Sequence, residues 1–186
     1  MRRIFAAAAV VFIAVPSLGV AHARAHDASL APSAPRATRT VTDDHTVVAI
    51  LELANSFDLE TGQLAAERAQ RQDVREFGMM LARDHKAVRQ QGRDLAAKLK
   101  ITPAELEEGD LSIAHEAAMK KLRAASAAEF DTIFLQHEVA YHETMIKLTN
   151  ETLLPNIRNA ELKAFVVKIA PAFVAHRDAA ANLLKK

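Results

Sequence analysis

The sequence contains no cysteine and no tryptophan, only five glycines and six prolines, and 5% aromatic residues. Without cysteine there are no disulfides, so the core, or the core with a bound ligand, must supply all the stability. Scarce glycine and proline, with half the residues apolar and alanine, leucine and charged side chains dominant, favour helices over a β-sandwich. Nor is there a surplus of one charge. The 24 Lys and Arg side chains oppose 23 Asp and Glu, which leaves no electrostatic footing for nucleic acid or for an anionic membrane surface.

Long hydrophobic runs are missing too, with one exception. Met1-Arg2-Arg3 is a basic start, Ile4 to Val15 is apolar, and the small-residue patterns Ala21-His22-Ala23 and Ala23-Arg24-Ala25 follow. This is the pattern of a secretory signal peptide over residues 1–23, too short for a comfortable membrane span. No cysteine follows it, so no lipid anchor is expected. The expected location is the periplasm or the exterior, with no transmembrane span in the mature form. Residues 24–42 mix Ala, Pro, Ser, Thr and Arg without periodicity and read as a flexible lead segment. The folded domain is expected over residues 43–186, a length suited to a single core.

Within that domain the apolar spacing predicts four long helices. The first runs from about Asp44 to Gln70, with a stripe through Ile50, Leu53, Ala54, Phe57, Leu64 and Ala65. The second opens at Asp73 and carries Val74, Phe77, Leu81, Val88, Leu95 and Leu99. Thr102-Pro103-Ala104-Glu105 is a helix-start signal, and a crossover helical segment follows from about Leu111 to Ala125. Ser126-Ala127-Ala128-Glu129 is a second capping box and opens the third helix, expected to reach about Leu154. The fourth spans about Asn159 to Leu184, with Pro171 inside it. The fold class predicted is all-α, a ferritin-like antiparallel four-helix bundle with the crossover between the second and third helices.

Four polar residues interrupt the core-facing stripes, one per helix: Glu60, His85, His142 and His176. Ionisable groups facing a core are costly unless paired, hydrogen-bonded or bound to a metal. One carboxylate and three imidazoles suit a metal site within a bundle. Glu138, four residues before His142, shares its face and is a fifth candidate ligand. Asp131 lies about 16 Å along the axis from His142 and is too far to join. Asp84 suits a neighbour's role, His26, His45 and His115 suit the surface or linkers, and His137 suits the surface. A His-rich donor set fits a single transition-metal ion, Zn, Cu, Ni or Fe, better than Ca or Mg.

The segments Gly62-Gln63-Leu64-Ala65 after Glu60, Phe77-Gly78-Met79-Met80-Leu81-Ala82-Arg83-Asp84-His85, Phe130-Asp131 with His142, and Pro171 with His176 resemble the ferritin-like bacterial family called domain of unknown function 4142. The resemblance spans about Asp44 to Leu184. It implies an exported helical-bundle protein of unassigned activity, of a kind often labelled predicted outer membrane protein, and singles out the same Glu60, His85, His142 and His176. Tyr141 stands where the family commonly has an acidic residue before the third-helix histidine, which implies that a supporting carboxylate there is either missing or replaced by Glu138. Two functions follow as expectations. One is metal handling or oxidative or envelope stress through a His-rich site. The other is an envelope or stress interaction protein, binding a protein partner, whose buried Glu and His layer is purely structural. Nothing in the pattern assigns an acid–base pair or a reaction.

Overall fold

The structure is a computed structural model that describes residues 43–186; the signal peptide expected over 1–23 and the lead segment over 24–42 lie outside the described residues. The described chain is helical, without strands. Its elements are α1 (Asp44–Arg68), α2 (Gln72–Leu99), α3 (Asp110–Ala124), α4 (Ala127–Leu148), a π-helical turn (Thr149–Leu153), α5 (Leu154–Asn156) and α6 (Ala160–Leu184). Among the described residues no helix is long and apolar enough to cross a membrane.

Local chemistry sets the helix ends. Asp43 is extended and accepts a hydrogen bond from the Thr46 amide at 2.8 Å, which opens α1. Ser126 and Glu129 form the expected capping box at the start of α4, and the Asn159 side chain caps α6. α2 closes on Lys100 in the left-handed conformation (φ 56°). Pro155 explains the π turn before it. A proline ring collides with the carbonyl four residues back, and the wider π turn moves that carbonyl aside. The third predicted helix is thus α4 carried through the π turn into α5, helical without a break from Ala127 to Asn156 and so past the expected end near Leu154.

The long helices pack with a constant register. Side-chain pairs Glu52–Arg89 and Asn55–His85 join α1 to α2, Asp84–His176 and Lys98–Glu161 join α2 to α6, and Tyr141–Ala54 joins α4 to α1. In the first two sets one number rises as the other falls, and for α4 and α1 the Tyr141–Ala54 bond with that of Asp131 to Gln70, just past α1, does the same, so these neighbours run antiparallel. α2 and α4 then run the same way, and the α3 segment carries the chain back between them. Two carboxylates tie opposite ends together. Asp131 on α4 accepts from the Gln70 and Arg71 amides at the start of α2 (2.9 and 2.8 Å), and Asp44 on α1 accepts from the Arg158 and Asn159 amides before α6 (2.8 and 2.9 Å). Asp131 thus serves a helix start, where negative charge is favoured.

α1 and α2 meet backbone to backbone. A Cβ on Gly62 would lie 2.8 Å from the Gly78 carbonyl oxygen, and one on Gly78 would lie 2.8 Å from that of Gly62. Two apolar cores result. One gathers Val47, Leu51, Leu153, Ile157, Leu162, Val166 and Phe173; the other gathers Ala65, Val74, Phe77, Leu81, Leu122, Phe130, Phe134 and Ala180. On every long helix the residues between these two cores are polar: Asn55, Asp58 and Thr61 on α1, His85 on α2, Glu138 and His142 on α4, and His176 on α6.

Candidate metal centre

The polar layer is a buried cluster. Asn55, Asp58, His85, Glu138, His142 and His176 are all buried, Glu138 and His142 completely. One ring nitrogen from each of His85, His142 and His176 lies within 4.8 Å of those of the other two. Their ring centroids stand 5.2 to 5.8 Å apart.

Each imidazole has one nitrogen fixed from behind. The Asn55 amide donates to the Leu51 carbonyl at 2.7 Å, which turns its Oδ1 toward His85; His85 Nδ1–H donates to that oxygen at 2.9 Å. His142 Nδ1–H donates to the Glu138 carbonyl oxygen at 2.9 Å. His176 Nε2 faces the Asp84 carboxylate at 3.4 Å. The remaining nitrogens, His85 Nε2, His142 Nε2 and His176 Nδ1, are buried without a hydrogen bond. Three lone pairs are thereby held ready by outer partners that set each tautomer.

Asp58 completes the group. Its Oδ2 lies 3.4 Å from His85 Nε2 and 3.9 Å from His142 Nε2, while its Oδ1 and both Glu138 oxygens are buried without a hydrogen bond. Donors sharing one tetrahedral ion stand roughly 3.4 Å apart for bonds of about 2.1 Å. Asp58, Glu138 and His142 also bring one donor atom each within 4.8 Å of the others.

Electrostatics follow from burial. Burial, then the neighbouring His142 and His176, holds His85 well below the usual imidazole range. Burial brings His142 down to about 4, against the pull of the Glu138 carbonyl, and lowers His176 against the Asp84 carboxylate. All three rings are neutral near pH 7, as metal ligation requires. Burial and then the charge of Glu138 push Asp58 well up, and burial pushes Glu138 up to about 7, partly offset by the nearby Thr61 hydroxyl and Asp58 carboxyl. Tyr141 stands beside them and donates to the Ala54 carbonyl at 3.0 Å; burial, then Asp58 and Glu138, raise its pKa.

Of the five expected ligands, the structure brings His85, His142, His176 and Glu138 together and leaves Glu60 outside. Glu60 Oε2 accepts from His115 Nε2 at 2.9 Å and its Oε1 from Arg123 at 2.8 Å, with the side chain 46% exposed. The reason is the phase of α1. Its buried stripe runs through Leu51, Ala54, Asn55, Asp58, Gly62 and Ala65, so the carboxylate facing the histidines is Asp58. Two residues further on, Glu60 points about 200° away. His115 is also not a surface residue: it is buried and stacked on Phe57 at 3.9 Å. His45 is exposed, as expected, and His137 is partly buried against Tyr141, its pKa brought to about 4 by burial and by His115. Sequence reasoning missed Asp58 and Asn55. The signal available was their spacing: Leu51, Asn55, Asp58 and Gly62 step by four, three and four residues.

A family profile described as "Domain of unknown function (DUF4142)" matches residues 29–183. The chain belongs to this family. No curated protein matches this DUF4142 member. Among solved structures it is similar to one described as "CopM in the Cu(II)-bound form". The likeness has a TM-score of 0.60 at 12% sequence identity and covers 77% of this chain and 97% of that one. At that identity the likeness concerns the fold.

Proposed function

We propose that this DUF4142 member is an exported, ferritin-like four-helix-bundle protein that binds one transition-metal ion. His85, His142 and His176 would hold the ion with Asp58, and Glu138 would supply a second carboxylate beside it. The observation that carries the reading is that three imidazoles bring nitrogens within 4.8 Å of one another and each has a buried nitrogen without a hydrogen bond. An apolar bundle pays heavily for such orphans unless something binds them. The charges also balance: neutral imidazoles with two carboxylates match a divalent ion. Zn, Cu, Ni and Fe all accept this donor set. The Cu(II) in the description of the similar CopM structure supports trying copper first. Metal handling, or a part in oxidative or envelope stress, is the corresponding role, in the periplasm or outside the cell; the expected signal peptide supports that location.

A second reading has its own support. The bonds from His85 to the Asn55 Oδ1 and from His142 to the Glu138 carbonyl are those of a buried polar layer that fixes helix register. On that reading the chain is a non-catalytic envelope or stress protein that works through a protein partner.

Metal analysis of untagged mature protein separates the two. Near-stoichiometric metal that is lost in both His85→Ala and His176→Ala is expected. A metal-free protein whose melting temperature ignores added Zn, Cu, Ni and Fe would overturn the proposal in favour of the structural layer.

A further inference from the structure

A cavity of about 420 Å³ lies between α1, α2 and α6, one helical turn from the histidine cluster. Its volume is that of a small-molecule site, and its walls are mostly aliphatic and aromatic, as such sites require. Leu51, Val88, Ala96, Leu162 and Phe165 line it, and Gly92 leaves part of the α2 wall open. A Cβ on Gly92 would meet only the Phe165 ring, at 3.8 Å. The polar lining comes from Asn55, Thr102, Glu52, Arg89 and Arg93. Asn55 closes one side, with its polar atoms already engaged by Leu51 and His85. Glu52, Arg89 and Arg93 close another.

The charged edge is not self-neutralising. Glu52 is the shared partner of both guanidiniums, through Arg89 Nε at 2.5 Å and through Arg93. Burial works against the Glu52 carboxylate, but Arg93 and Arg89 hold its pKa below the usual range. Two cations against one anion leave a net positive charge at the rim. Among the described residues, Arg89 is held only through Nε, so its terminal nitrogens keep their donors for another acceptor. An unbalanced guanidinium fork beside an apolar hollow is complementary to one carboxylate carried on an apolar chain.

We propose that this cavity binds a medium-chain monocarboxylate, with its carboxylate on the Arg89 terminal nitrogens and its alkyl chain against Val88, Ala96, Leu162 and Phe165. The site is separate from the metal centre and touches it only through Asn55, so the proposal stands whether or not a metal binds.

Calorimetric titration of the whole mature protein with decanoate, and with decanol as the uncharged control, tests it. Saturable one-to-one binding of decanoate is expected, with decanol at least roughly tenfold weaker, as loss of one charge-assisted hydrogen-bond pair implies. Arg89→Gln should bring decanoate down to the level of decanol. Gly92→Leu fills the hollow and replaces glycine with a better helix former, so the variant should fold while losing both ligands. Absence of saturable decanoate binding, equal affinity for the two ligands, or full binding by folded Gly92→Leu would each overturn the proposal.

Discussion

At the residue scale the carboxylate of Asp58 carries opposite consequences for stability and for ligand binding. It is 2% exposed, one oxygen lacks any hydrogen bond, and burial with Glu138 beside it raises its pKa well above the usual carboxylate range. Such a group is tolerated in the metal-free protein and wanted by an ion. Asp58→Asn keeps the shape and removes the ionisable group, so the metal-free variant should melt no lower than the parent. Its affinity for a divalent ion should fall by about 10- to 100-fold, the order seen when a metal site loses a supporting group. Thermal melts and competitive metal titrations of the same pair of proteins check both halves. A variant that melts lower and binds metal as before would assign Asp58 to packing alone. Asn55→Ala differs in kind: it frees the His85 ring and deletes the hydrogen bond to Leu51, so it should lower both the melting temperature and the affinity.

Element by element, the helices were legible because apolar spacing and caps agree. Asp43, Ser126 and Asn159 each sit where a helix opens, but Thr102-Pro103-Ala104-Glu105 opens none: residues 101–109 are irregular, and α3 starts at Asp110 after Gly109. Legibility failed where a single step of helical phase decides a side chain's direction. Leu53, Phe57 and Leu64 are only half-buried, whereas Asn55, Asp58 and Thr61 face inward; apolar residues on both flanks of α1 hide the true seam, so spacing points to Glu60 where the structure has Asp58. His115 was unreadable for a related reason, because its burial depends on where α3 crosses Phe57. The π turn is a response to Pro155 that spacing cannot show. The glycine pair of α1 and α2 yields an element-scale prediction. Gly62→Ala gains about 1 kcal/mol of helix propensity but drives a methyl to 2.8 Å from the Gly78 carbonyl and the Ala82 amide. Overpacking of this kind costs about 1–3 kcal/mol, and backbone cannot step aside, so chemical denaturation should show a net loss of up to roughly 2 kcal/mol. The two clamping carboxylates make a companion case. Asp44→Ala and Asp131→Ala each remove a double acceptor from helix-start amides, worth about 1–2 kcal/mol. They act on opposite ends, so the double variant should lose close to the sum.

For the whole molecule, the two apolar cores are joined through a layer whose protonation differs between the folded and unfolded chain. His85, His137, His142 and His176 all have lowered pKa values when folded, His137 and His142 to about 4. Their unfolded forms take up protons from about pH 6.5 downward, and the folded forms do not, so their contribution is complete above that pH and is lost as pH falls toward 4. Asp58 and Glu138 work the other way. Their folded pKa values are raised, Glu138 to about 7, so their contribution is present below the ordinary carboxylate range and is lost as pH rises to about 7. Four imidazoles outnumber two carboxyls, so the metal-free protein should become less stable on acidification from pH 6.5 to 4.5, with the carboxyls blunting the slope. A bound divalent ion removes that blunting, because it needs both carboxylates ionised. The metal-loaded protein should therefore lose stability more steeply over the same window. Loading should also release protons at pH 6 in a number that shrinks toward pH 8, as Glu138 titrates. Melting curves between pH 4.5 and 8, with and without the ion, read the first effect; calorimetry in buffers of different ionisation enthalpy reads the second. Identical pH slopes for the two forms, with no proton release at pH 6, would mean that the ion sits elsewhere and that the layer serves register alone.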